Sequence, residues 1–174
     1  MIKWGTRLMD DTESLFNQLQ ECLKAQEEIV DRLIAAGETQ FEALRKNNLG
    51  ELNKATREME ACSAAMERAE QQRLLVQHSL EEALKVAKGM TLSKLLPFAG
   101  ESIRDPLQQQ YFAMKEKVTN LSEINMFNTI LINKAQMVNG SLFKFFYAGS
   151  STSYGVKGVI ENKLNPISLL NRSI

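Results

Sequence analysis

The chain has 174 residues, with 21 Lys and Arg against 21 Asp and Glu, so its formal net charge is zero. A neutral surface lacks the strong field that nucleic-acid and anionic-membrane binders use. No stretch reaches the roughly 20 apolar residues of a membrane span, and the opening Met1-Ile2-Lys3-Trp4-Gly5 lacks the apolar run of a secretory signal, so a soluble cytoplasmic protein is expected, without nucleic acid or membrane insertion.

The neutrality hides a split. Residues 1–90 hold 16 acids and 12 bases, a balance of −4, and residues 91–174 hold 5 acids and 9 bases, a balance of +4. Side by side in an antiparallel bundle the two halves neutralise each other. Cys22 and Cys62 fall on apolar helical faces and read as small core residues in a reducing compartment.

The first amphipathic segment runs over about 8–46, with Leu8, Leu15, Leu19, Cys22, Ile29, Leu33, Phe41 and Leu44 at helical spacing. Gly37 interrupts it, but the stripe continues in phase, so a single helix is expected, with a kink at Gly37 left open. Asn47-Asn48-Leu49-Gly50 is a turn in which Asn48 caps the next helix and Glu51 sits at the reciprocal position. That second helix spans about 49–88, with Leu52, Met59, Cys62, Met66, Ala69, Val76, Leu80 and Ala83 along one face and Gly89 as its stop.

Residues 90–104 read as a connection with a short helical turn around Leu92 to Leu96. Asp105-Pro106 predicts the start of a third helix, a capping carboxylate followed by Pro at the first helical position. This helix, about 105–147, carries the seam Leu107, Tyr111, Met114, Val118, Leu121, Asn125, Asn128, Ile132, Ala135, Asn139, Leu142 and Phe146, whose alternating steps of four and three are a heptad rhythm. The expected fold is all-α: an antiparallel bundle or coiled-coil hairpin of three long helices over 1–147, with a non-helical, flexible tail over 148–174 that holds a client or partner. The tail cannot sustain a helix through Ser150, Ser151, Gly155, Gly158 and Pro166, yet it is richer in large apolar residues than a solvent tail should be.

Catalytic chemistry fails on inventory. The sole histidine, His78, lies mid-helix, neither cysteine belongs to a nucleophile motif, and no phosphate loop, dinucleotide fingerprint or close-spaced metal-ligand pair occurs. A binding protein, not an enzyme, is expected, with no cofactor and no metal. Two features point to binding. Asn125 and Asn128 interrupt an apolar seam, where an amide must find a matching partner and so sets either the register of the chain's own bundle or the choice of another chain. Leu142, Phe143, Phe145, Phe146 and Tyr147 exceed what one helical face buries against one neighbour.

Phe41-Glu42-Ala43-Leu44 followed by Leu49-Gly50-Glu51-Leu52, then Asn125-x-x-Asn128-x-x-Leu131, then Tyr154-Gly155-x-x-Gly158 beyond a Leu/Phe-rich helix end, resemble in order and spacing the FlgN family of flagellar export chaperones. The likeness runs from the first helix to Gly158; residues 159–174 have no counterpart, and Asn48 stands where the family often has Asp, which caps equally well. The resemblance implies a cytoplasmic chaperone that binds hook–filament junction (hook-associated) proteins, prevents their premature assembly and delivers them to the type III export gate. It implies a client site in the C-terminal region and, by motif position, a gate contact at Tyr154. The candidate partner-binding residues are then Asn125 and Asn128 on the seam, Leu142, Phe145 and Phe146 at the helix end, and Tyr154, Gly155, Gly158, Leu164, Ile167, Leu169 and Leu170 in the tail. The rival reading is a self-assembling structural coiled coil without an export role; a homodimer that supplies a fourth helix stays open.

Overall fold

The two asparagines after the first amphipathic stripe set the order of elements. Asn47 takes a left-handed backbone (φ 51°), and the Asn48 side chain accepts a hydrogen bond from the Glu51 amide at 3.2 Å, the expected cap. The computed structural model describes residues 3–149: α1 (Lys3–Arg45), α2 (Leu49–Leu84), the short α3 (Leu92–Leu95) running into a 3₁₀ turn (Leu96–Phe98), and α4 (Glu101–Gly149). The fold is all-helical over these residues, with long helices α1, α2 and α4 and a fourth, short one in the connection. Met1–Leu131 form one compact unit; in the second, Ile132–Ile174, the described part is the last stretch of α4.

Helix α1 passes through Gly37 as a single element. It pairs antiparallel with α2, since Gln26 donates to Glu70 (2.8 Å), Arg32 to Glu58 (2.6 Å) and Gln40 to Thr56 (3.5 Å), partners whose numbers fall on one helix as they rise on the other. The core closes where α1 begins and α2 ends. Phe16 and Leu19 meet Val76 and Leu80, and Leu95, Leu96, Ala99, Ile103 and Leu107 cover them. Of these, Phe16 lies outside the apolar stripe read from the sequence, although it is among the largest fully buried side chains.

Helix α2 stops at Leu84, short of the expected 88, because its end is a Schellman motif with Lys85, not Gly89, in the left-handed position (φ 56°). The Val86 amide donates to the Glu81 carbonyl (3.1 Å) and the Lys85 amide to the Glu82 carbonyl (3.2 Å). The Glu81 side chain then fixes the loop, accepting from the Gly89 amide (3.1 Å), the Met90 amide (2.9 Å) and the Gln77 side chain (2.8 Å). Burial by itself would push this carboxyl up, but the donated hydrogen bonds outweigh it and hold Glu81 below its ordinary value.

The third long helix starts earlier than Asp105-Pro106 announced. Glu101 opens it, and Pro106 lies inside it. The Gly100 carbonyl accepts from the Ile103 and Arg104 amides (3.0 and 2.9 Å), and the Arg104 guanidinium donates back to the carbonyls of Leu96 (3.3 Å) and Ala99 (2.8 Å). Ile103 and Leu107, one turn apart, both enter the core. That pairing requires helix before Pro106, and the hydrogen bond the proline forgoes lies close enough to the helix start to be tolerated.

Lys85→Gly relieves a left-handed non-glycine residue and should raise unfolding stability by about 0.5–1 kcal/mol in a urea titration. Glu81→Gln should lower it by about 1–2 kcal/mol at neutral pH. A carboxyl held low in the folded state stabilises above its unfolded value, near 4.5, and that contribution disappears as pH falls through the lower folded value. The stability difference between wild type and Glu81→Gln should therefore close on acidification below about pH 4.5.

Candidate partner-binding site

Helix α4 reaches α1 at a place where α1 has no side chain. A Cβ on Gly37 would stand 2.8 Å from Cγ2 of Ile124, closer than packed atoms come. Next to this contact Asn128 is buried, and its amide donates to the Gly37 carbonyl and to Oε1 of Gln40, both at 2.9 Å, while its own Oδ1 is buried without a hydrogen bond. Further back, Lys117 bridges Glu27 (2.7 Å) and Asp31 (2.8 Å) on α1. Those carboxylates, Asp31 foremost, hold the Lys117 ammonium above its ordinary value. Paired numbers rise together here, so α4 runs parallel to α1. The acidic N-terminal half and the basic C-terminal half do meet, at this strut.

These contacts divide the expected seam into two files. Leu107 and Asn128 are buried and Met114 and Leu121 half-buried, each seven residues apart, whereas Tyr111, Val118 and Asn125, the other file, are exposed. Asn128 thus acts within the chain's own bundle, and Asn125 faces outward. Gly37, Ile124 and Lys117 organise the contact; in the sequence Gly37 reads only as an interruption of the stripe, and Ile124 and Lys117 do not stand out. The usable signal was a glycine inside a helical stripe that kept its phase on both sides.

In the second unit, every residue from Asn133 to Phe145 is exposed. Met137, Val138, Leu142, Phe143 and Phe145 are between 49% and 74% accessible, an apolar display unusual for a helix. Val138, Leu142 and Phe145 follow one another at steps of four and three and so share a face. Gly140 lies between them, and among the described residues a Cβ there would meet nothing within 4 Å. From Met126 to Gly149 the helix carries Lys134 and Lys144 and no carboxylate. The Phe146 side chain and Tyr154, Gly155, Gly158, Leu164, Ile167, Leu169 and Leu170 lie outside the described residues.

The FlgN protein family matches the chain over residues 9–162. The chain belongs to the FlgN family. No curated protein and no solved structure gives a match. The family match takes in the α1–α4 contact, Leu142 and Phe145 at the helix end, and Tyr154, Gly155 and Gly158; Leu164, Ile167, Leu169 and Leu170 lie beyond it.

Among the described residues of this FlgN-family chain, the histidine and the two cysteines sit within ordinary helix packing. His78 is half-buried on α2, with Nε2 3.2 Å from Glu82 and 3.4 Å from Lys88. Cys22 and Cys62 are free thiols, and burial pushes both up, with Arg73 opposing at Cys22 and Arg32 at Cys62, so neither is poised as a thiolate. Among the described residues no group of His, Cys, Asp and Glu is arranged to hold a metal ion, and no helix is long and apolar enough to cross a membrane.

Gly37→Ala inverts the usual rule for helices. Alanine favours an exposed helix by up to about 1 kcal/mol over glycine, but here its Cβ collides with a β-branched side chain and should destabilise by about 1–3 kcal/mol. Ile124→Ala removes the clashing methyl, so a double-mutant cycle in denaturant should return a favourable coupling between the two alanines of at least about 0.5 kcal/mol.

Proposed function

We propose that this FlgN-family chain is a cytoplasmic export chaperone whose client surface is the end of α4 together with the tail. The client class is the hook–filament junction proteins, held unassembled and then handed to the type III export gate. The single observation that carries the reading is the exposed apolar file Val138, Leu142 and Phe145, set on a basic helix end within the family match. Apolar residues at steps of four and three are how one helix packs along another, and shielding a client's aggregation-prone helical terminus needs such a face. The role is binding, not catalysis, consistent with polar groups that serve caps, loops and helix contacts.

Leu142→Asp, which puts a charge into this face, should weaken co-purification of a junction protein at least tenfold with unchanged far-UV helicity, as should deletion of residues 150–174. Full client affinity in both would remove the proposal. Tyr154→Ala should retain the client and impair export, separating gate contact from client binding.

The exposed file Tyr111, Val118 and Asn125 favours one rival, a chain that self-assembles through this half-seam. Sedimentation distinguishes the two. The chaperone reading expects a defined complex with one client, and the rival expects oligomers that persist on dilution and ignore the client.

A further inference from the structure

The face that α4 turns toward α1 carries polar groups left short of partners. Among the described residues, two buried side-chain oxygens make no hydrogen bond, Oε1 of Gln110 and Oδ1 of Asn128, and both belong to this helix. Lys117 and Asn128 touch α1 directly, and Gln110 stands seven residues before Lys117, two turns back, so it shares their face. In water each of these carbonyls would be hydrogen-bonded, and seating the helix on α1 leaves it bare.

Little apolar burial offsets this. Leu107 is fully buried near the start of α4, but from Gln108 to Phe127 no residue of the helix is buried, and Met114, Leu121 and Ile124 are half-buried. The strut at Lys117 is open to solvent, with the Asp31 side chain 53% exposed, and ion pairs of that kind are weak. What the contact does have is position, since Ile124 fits only where Gly37 lacks a Cβ. A contact strict in geometry and weak in energy is seated or free, with no graded slide between the two. Pro106 supplies a pivot: it has no amide to donate to the Ser102 carbonyl, and a helix bends most readily at such a break.

We propose that the α1–α4 contact is a built-in switch, in which the stretch of α4 from Gln108 to Leu131 swings off α1 about Pro106 as an intact helix and reseats at Gly37. Release lets water reach both bare oxygens. It also rejoins the two files of the seam, so that Met114 and Leu121 stand open beside Tyr111 and Val118 at the alternating steps of a complete heptad face. Seated, α4 shows half of that face; released, it shows all of it. The switch is a property of the chain alone and does not rest on client binding at the helix end.

The test is the distance between spin labels on Glu28→Cys and Asn120→Cys, exposed positions on the two helices, in the full chain with Cys22 and Cys62 replaced by Ala. Double electron–electron resonance should resolve a short, seated distance and a long, released one. Gly37→Ala should raise the ratio of long to short at least about fivefold, and Lys117→Ala about twofold or more. Gln110→Met keeps the side-chain volume and removes the bare oxygen, so it should move the ratio about fivefold or more toward the short distance. Far-UV helicity should stay the same throughout, because the helix leaves α1 whole. The proposal is overturned if the labelled chain shows one distance that Gly37→Ala and Lys117→Ala leave unchanged. It is overturned equally if helicity falls as the long distance appears, since α4 then unfolds instead of swinging, or if Gln110→Met shifts the ratio toward the long distance.

Discussion

Where Gly37 meets Ile124, two helices come together more closely than any side chain on α1 would permit. The carbonyl exposed by the missing Cβ becomes an acceptor for the buried Asn128 amide, and the same register brings Lys117 between Glu27 and Asp31. A shift of α4 by one residue would move Ile124 off the notch and leave the Asn128 amide buried without its acceptors, a loss of about 1–3 kcal/mol. The contact is thus narrow in area and strict in position. It explains why half of the α4 seam is covered and half is not, and it leaves Phe127 exposed beside the buried Asn128.

The long elements were legible because amphipathic periodicity is a local property, and Asn48 was legible because a cap needs only its own helix. The ends that depend on distant groups were not. Helix α2 stops at Lys85 because the Glu81 carboxylate gathers two loop amides, and a lysine in a left-handed conformation leaves no trace in composition. Asp105-Pro106 is a sound start signal that was outweighed by the need to bury Ile103 one turn ahead of Leu107. Asn125 and Asn128 show the limit most directly: identical residues on one stripe, one exposed and one buried, according to which side α1 occupies. Periodicity identifies a face and does not say which half of it a neighbour will take. Of the candidate site, the helix-end cluster was read from bulk alone, whereas the α1–α4 contact needed Gly37 and Ile124, far apart in the chain, to be brought together.

Placing the polar inventory narrows function by use. The buried carboxylate secures a loop, the buried amide secures a register, and the histidine sits among Glu82 and Lys88 on a helix surface. Apolar surface on α4 stays exposed, and it is this surface that the proposed reading assigns to a client.

Gly140 gives this surface one further property. Unlike Gly37, it makes room for no neighbour among the described residues. It stands between Asn139 and Ser141, so three consecutive weak helix formers interrupt the face that carries Val138 and Leu142. The helix survives there on its own backbone hydrogen bonds, and each glycine–alanine difference of about 1 kcal/mol shifts the balance between wound and unwound forms several-fold. On the proposed reading, a client packed on both sides of Gly140 would favour the wound form. On the same reading, release would begin there as a local fraying of the helix.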